Sequence, residues 1–152
     1  MSQNDHIEIL NDQVRSLKDA LKWLNRSLEI CKQYDLEDLS PEGMNAFEGL
    51  TSRFARVCDL LYNSLFRTIF YLEQGKAGTW LDVLLYMEMK TIIDNVHEAR
   101  VLKELRNDIV HEYAVSDLKL IFKEVINMSP VLLKYVKATF IKAEEINQKL
   151  KP

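Results

Sequence analysis

Residues 101–113 read VLKELRNDIVHEY, and this stretch decides how the chain can fold. At about 100° per residue, a helix here gathers its apolar side chains in one stripe. The stripe consists of Leu102, Leu105, Ile109 and Val110. Arg106 and Tyr113 fall inside it, and Asn107 and His111, four positions apart, stack on its flank. The helix therefore carries polar groups where an apolar face should meet a core.

Arg106 is the residue of this stripe that constrains the fold most. Its guanidinium stays charged, and a buried charge without a partner costs several kcal/mol. It must therefore meet an anion, a second chain or water in a cleft. Two interpretations stay open on chemistry alone. In one, Arg106 pairs with an acidic residue of another helix and His111 bonds a backbone carbonyl; in the other, these residues form a functional site.

The rest of the chain predicts a single all-α domain, residues 1–152. Only 4 Gly and 3 Pro interrupt the 152 residues, which favours long helices. No segment alternates with period two for long enough to form a strand. We therefore predict an antiparallel helical bundle of about five to six helices.

Apolar spacing and capping residues place the helices along the chain. Residues 5–33 form a long amphipathic helix, and Ser40-Pro41 opens a second one that runs to about Glu73. These two are predicted to pair in antiparallel orientation, with the shorter helices packed across them. The shorter helices are predicted at 80–91, 96–113, 118–127 and 131–149, the last opened by Ser129-Pro130.

Near its end the second helix is more apolar than a one-sided helix needs to be. The additional residues are Phe66, Ile69, Phe70 and Tyr71. Two explanations stay open. Either this helix is buried centrally in the bundle, or part of its surface forms a dimer interface.

Composition limits the possible functions. The formal net charge of −3 argues against a generic nucleic-acid coat, although it leaves room for a small basic cleft. Cys31 and Cys58 lack metal-ligand spacing and are predicted to be buried thiols in a reducing compartment. The N-terminus resembles no signal peptide, and no apolar run reaches the ~20 residues of a membrane span. We therefore expect a cytoplasmic protein with no membrane segment, no metal and no cofactor.

The polar residues of the stretch suit phosphate chemistry. Arg106 offers a fork of donors that can hold a phosphate, and an imidazole such as that of His111 can give or take a proton at physiological pH. One Arg and one His can therefore cleave a phosphodiester without metal, the His taking the proton of a ribose 2′-hydroxyl. A two-fold dimer that brings two copies of this helix together would supply a pair of each.

The same residues carry a family resemblance. Arg106-Asn107, then three residues, His111, one residue and Tyr113 resemble the signature of HEPN-domain proteins. The most similar subgroup is the HepT-like toxins, which pair with a minimal nucleotidyltransferase antitoxin. The resemblance extends over about residues 79–150, where the expected order of a short helix and then a final helix also fits. Over residues 1–78 it consists of two long helices.

This resemblance implies an up-down helical bundle and a role for each residue. Arg106 and His111 would be the metal-independent ribonuclease pair at a homodimer interface, leaving a 2′,3′-cyclic phosphate. Asn107 would support that pair. Tyr113 would be the site where the partner nucleotidyltransferase attaches AMP (AMPylation), which silences cleavage.

Three functional interpretations follow. The first is an RNA-cleaving toxin of a HEPN/nucleotidyltransferase toxin–antitoxin pair. It expects that the subunit itself leaves Arg106 without an acidic partner, in a two-fold groove. The second is a non-catalytic subunit that binds a nucleotide or another substrate for a nucleotidyltransferase. The third is a structural bundle in which the motif makes internal contacts only.

Overall fold

Every regular element in the described part of the chain is a helix. The computed structural model describes residues 1–111 and 115–150, and of residues 115–117 it describes the backbone alone. The elements are α1 (Gln3–Cys31), α2 (Pro41–Asp59), a π-helical turn (Leu60–Leu65), α3 (Phe66–Gln74), α4 (Trp80–Met89), α5 (Val96–Val110) and α6 (Val115–Leu150). Because α2, the π turn and α3 form one rod, the bundle has five rods, which confirms the predicted all-α fold.

The first two rods lie antiparallel, as predicted. Near the end of α1, the Ser27 hydroxyl accepts a hydrogen bond from Arg53 Nη1 of α2 at 2.6 Å. Near its start, the His6 ring stacks on Tyr71 of α3 with 4.4 Å between centroids. The apolar face of α1, which the sequence predicts to be an amphipathic helix, packs on the core. Its fully buried leucines are Leu10, Leu17 and Leu24.

Local capping chemistry sets the helix ends that the sequence predicts. The Ser40 hydroxyl accepts from the Gly43 N–H at 3.0 Å, at the start of α2. Gly75 ends α3 with φ of 72°, in the left-handed region that glycine adopts without strain. Thr79 and Asp82 form a capping box at the start of α4.

The π turn shifts the buried face of the second rod. Each π hydrogen bond encloses one more residue than an α-helical bond does, so the turn advances the helix phase. Beyond it the buried face consists of Phe66, Ile69 and Phe70. Thr68 and Leu72, which an unbroken α period places in the core, are only half-buried. The apolar widening of this rod is therefore mainly internal packing, while Tyr71 is 37% exposed.

The prediction of two helices after residue 117 is wrong. One helix, α6, runs from Val115 to Leu150 with Pro130 inside it. An internal proline costs about 3 kcal/mol, and here its ring lies on the exposed side. Burial on both sides of the proline offsets that cost; the fully buried residues are Phe122, Val125, Leu132, Tyr135 and Val136. The short helix followed by a final helix, which contributed to the family resemblance, is therefore not found.

One cluster of buried apolar residues joins all five rods. Cys31 and Cys58 belong to it as free thiols, which confirms their predicted burial. Across residues 1–111 and 115–150, no helix combines the length and the apolarity that crossing a bilayer requires.

Candidate functional site

Helix α5 presents the motif at the surface of the bundle. The Asn95 side chain caps its start by accepting from the Glu98 N–H at 2.7 Å. Leu102 and Leu105 are buried as predicted, but Val110 is 49% exposed. The stripe therefore leaves the core before the helix ends, and the last turn of α5 faces solvent.

Arg106 finds its anion inside its own chain. Its Nε donates to Oδ1 of Asp59 at 2.6 Å and its Nη2 donates to Oδ2 at 3.0 Å, a bidentate pair between α5 and the end of α2. The expectation that the subunit leaves this guanidinium without an acidic partner is therefore wrong. The hydrogen bond to Asp59 raises the pKa of Arg106 above its ordinary value. The two side chains stay 27% and 39% exposed, so the pair contributes on the order of 1 kcal/mol or less to folding.

Asn107 also forms a hydrogen bond with the Arg106 guanidinium. Its side-chain oxygen accepts from Arg106 Nη1 at 3.1 Å. A guanidinium has five N–H groups, and these contacts engage three of them. Two N–H groups remain for a ligand or water. Asn107 therefore supports Arg106 directly.

The surroundings of this pair are positively charged. Lys103 lies one turn before Arg106 on α5, and burial, followed by the charges of Arg67 and Arg106, lowers its pKa. Asp59 thus shares this part of the surface with two cations, Arg106 and Lys103. A cavity of about 30 Å³ opens between them, which is room for water but not for a nucleotide. Any larger anion must therefore bind on the surface above it.

The π turn contributes to the same site. Asp59 is the last residue before the turn, and Asn63 within it lines the cavity. The Tyr62 hydroxyl donates to the Ala99 carbonyl at 3.1 Å and so ties the turn to α5. π turns inside α-helices occur frequently at functional sites. Here the turn fixes the position from which Asp59 reaches Arg106.

The other two motif residues lie beyond this cluster. His111 is the exposed C-cap of α5, and its backbone N–H bonds the Asn107 carbonyl at 3.0 Å. Among the side chains that the structure describes, those of residues 1–111 and 118–150, none forms a hydrogen bond with the imidazole ring of His111. Tyr113, the predicted AMPylation site, lies outside the described residues. The structure therefore brings Arg106 and Asn107 together and leaves His111 at the adjoining helix end.

Sequence reasoning missed Asp59 and Lys103. A signal for Asp59 exists, because it is the lone acid in the apolar run from Val57 to Leu61. An acid in one apolar stripe and an Arg in another are complementary, since each needs a partner in the same low-dielectric region. Nothing comparable marks Lys103, whose position on α5 reads as an ordinary solvated residue.

In the comparisons with known proteins, no family model, no curated protein and no solved structure matches the chain. The HEPN resemblance therefore rests on the motif residues themselves, Arg106 to Tyr113.

Proposed function

We propose that the chain is a metal-independent endoribonuclease of the HEPN type, in which Arg106 binds the scissile phosphate and His111 transfers the proton of the 2′-hydroxyl. One observation carries this proposal. The Arg106 guanidinium is held at the surface, 27% exposed, with two N–H groups to spare and Lys103 beside it. A purely structural arginine has no need of a second cation beside its carboxylate.

Asp59 has an orienting role in this proposal. A guanidinium held through two parallel hydrogen bonds cannot swing, so its remaining donors point in one fixed direction. Preorganised donors of this kind stabilise the charge that develops on phosphorus without reorganising during the reaction. Asp59 also cancels one positive charge, and Lys103 and Arg67 restore the attraction for a phosphate.

A homodimer completes the proposed machinery. One histidine must otherwise act as base and then as acid, whereas two α5 ends facing each other supply one imidazole for each task. His111 and Val110 both lie exposed at that helix end, where a two-fold contact would bury them. AMP attached to Tyr113, two residues further on, would place negative charge beside the cations and repel the RNA backbone.

A second function is favoured by a different observation. Arg106 already has a carboxylate partner, and the cavity beside it admits only water. Both features argue against chemistry at Arg106, and so suit a non-catalytic subunit that binds a nucleotide or another substrate on the surface above the cavity for a partner nucleotidyltransferase. They also suit the structural bundle, the third interpretation.

RNA cleavage by single-residue variants tests the proposal. With EDTA present, we expect Arg106→Ala and His111→Ala each to lower the cleavage rate by about 100-fold or more. Arg100→Ala is the matched control, since it removes an exposed cation from the same helix. Full cleavage by both site variants would reject the ribonuclease. Wild-type protein that binds nucleotide and leaves RNA intact would support the non-catalytic subunit instead.

Asp59→Asn separates an orienting role from a structural one. The amide keeps the shape of the carboxylate but loses its charge and one acceptor. If Asp59 orients Arg106, cleavage falls while the melting temperature barely moves, because the pair is half-exposed. A large loss of thermal stability with unchanged cleavage would show that Asp59 supports the fold and does not orient Arg106.

The regulatory half of the proposal has its own test. We expect co-expression with a candidate nucleotidyltransferase to raise the intact mass by one or more adenylyl groups, and Tyr113→Phe to abolish the increase. An unchanged mass, or an increase that survives Tyr113→Phe, would remove Tyr113 as the modification site.

A further inference from the structure

Trp23 is an exposed aromatic side chain surrounded by cations. It lies on α1, outside the core, and is 41% exposed. Three charged groups stand within 6 Å of its ring centroid: Arg53 at 5.2 Å, Lys22 at 5.7 Å and Arg26 at 5.9 Å. This arrangement concentrates positive charge around a flat apolar surface that the fold leaves accessible.

The arginines beside Trp23 are positioned without carboxylate partners. Arg53 is held by the Ser27 hydroxyl at 2.6 Å, a neutral acceptor that leaves its charge uncompensated. Arg56, one turn later on α2, is exposed and lines the same opening of about 280 Å³. Asp19 is the acidic residue of that opening. Among the described residues, none of the four cations near Trp23 lies within ion-pair distance of a carboxylate.

This opening adjoins the Arg106 site along α2. Arg53, Arg56 and Asp59 occupy successive turns, so the rise from the first to the last is about 9 Å. Trp80 lies under Lys103, the cation beside Arg106, with 3.9 Å between Nζ and the ring centroid, and the Arg100 guanidinium is 5.8 Å from the same centroid. Both tryptophans of the chain therefore have cations over their rings. These cations are clustered although the net charge of the whole chain is −3.

We propose that Trp23, Arg53 and Arg56 form a binding site for single-stranded nucleic acid, with a base stacked on the indole and phosphates held by the two guanidinium groups. Aromatic faces and cations along a groove are the combination by which proteins hold unpaired strands. An acidic peptide would use the cations but has no flat ring to place on Trp23. Asp19 can accept a hydrogen bond from an N–H on the edge of a stacked base, such as the N3–H of uracil. The site would hold the strand that enters the Arg106 site, and in this respect it rests on the proposed function.

Binding by a labelled oligouridylate of about 12 nucleotides tests this site. The measurements use His111→Ala protein throughout, so that cleavage cannot interfere. We expect Trp23→Ala to weaken binding about tenfold and Trp23→Phe to retain most of it, since a phenyl ring still stacks. Arg56→Gln should lower the slope of log affinity against log salt by about 0.7, the value for one phosphate contact on a single strand. Lys137→Gln, which removes an exposed cation of α6, is the control.

A spectroscopic measurement reads the stacking directly. Trp80→Phe leaves Trp23 as the single indole of the chain. We expect its fluorescence to be quenched as the oligouridylate saturates the protein, because a stacked base quenches an indole. Unchanged fluorescence at saturation would place the strand elsewhere and overturn the proposal.

The outcomes separate this inference from the ribonuclease. Binding that depends on Trp23 and Arg56 in a protein whose wild type does not cleave RNA would support the nucleic-acid site and reject the ribonuclease. If the wild-type protein cleaves RNA and neither substitution weakens binding, the result would support the ribonuclease and reject the nucleic-acid site at Trp23. Oligodeoxyuridylate of the same length, which differs from the probe in the sugar alone, identifies the preferred sugar, and dependence on Trp23 supports the site with either strand. Displacement by polyglutamate as efficient as by RNA would assign the cations to acidic peptides and overturn it.

Discussion

At the residue scale, the sequence shows what Arg106 needs but not what supplies it. A cation in an apolar stripe needs an anion, a second chain or water, and in this fold an anion of the same chain meets this need. The anion is Asp59, 47 positions earlier in the chain. Helical periodicity describes one helix at a time, whereas this pair depends on how α2 and α5 meet in three dimensions. From the sequence alone, an acidic partner for Arg106 within the same chain therefore stays one of two open interpretations.

The two cysteines give a pH-dependent prediction. Burial raises the pKa of the Cys31 thiol from 9.0 to about 11, and burial followed by the charge of Asp59 raises that of Cys58 as well. Because only the thiolate reacts, a higher pKa means less reaction at a given pH. At pH 8, we expect Cys31 to react with iodoacetamide about 100-fold more slowly than a free thiol.

The alkylation rate of Cys31 should rise with pH until about 11 and should jump when urea unfolds the protein. The unfolded chain is the control, because both thiols there have ordinary pKa values. Equal rates in the native and unfolded states at pH 8 would show that the thiols are accessible and would contradict their burial.

At the element scale, the structure departs from the sequence prediction where hydrogen bonding departs from the regular α pattern. The caps Ser40, Gly75 and Thr79 are predictable because capping is local chemistry. The π turn at Leu60–Leu65 has no local signature, and an unbroken α period across it would bury Thr68, which the structure leaves half-buried. Pro130 carries a strong local signal to stop, and the buried faces on both sides override it. Local propensity fails in both cases because tertiary packing decides.

Deletion of one residue tests the π turn. Removing Asn63, which is exposed, should convert the turn to α-helix while α2 and α3 keep their faces toward the core. Removing Ser52, an exposed residue of regular α-helix, should instead rotate the preceding part of the rod by about 100° relative to the rest and take its apolar residues out of the core.

Circular dichroism melts compare the two deletions. We expect the Asn63 deletion to unfold cooperatively within a few degrees of wild type and the Ser52 deletion to lose its cooperative transition. The same loss in both would mean that the turn does not contain a spare residue.

At the scale of the whole molecule, the proposed dimer depends on the exposed end of α5. Val110 is 49% exposed beside His111, and a two-fold contact there would bury it against its copy. Val110→Glu places two like charges in that contact and should convert the dimer to a monomer that still unfolds cooperatively. Met89→Glu is the matched control, since Met89 is 66% exposed at the end of α4.

Sedimentation equilibrium over a range of protein concentrations reads the outcome. A wild-type dimer that persists in Met89→Glu and dissociates in Val110→Glu supports association through α5. A dimer unaffected by Val110→Glu places the contact elsewhere, and a wild-type monomer at every concentration removes the shared site.

Pro130 has a consequence for how the bundle opens. Without an N–H at this position, the Ile126 carbonyl lacks its usual donor four residues later, so the hydrogen-bonded ladder of α6 has a gap. Helical cooperativity passes from turn to turn through that ladder. The two halves of α6 can therefore fray as separate blocks, with the first half released while the second stays docked. The helix is continuous at Ser129-Pro130, but this position still separates two segments that can unfold locally one after the other.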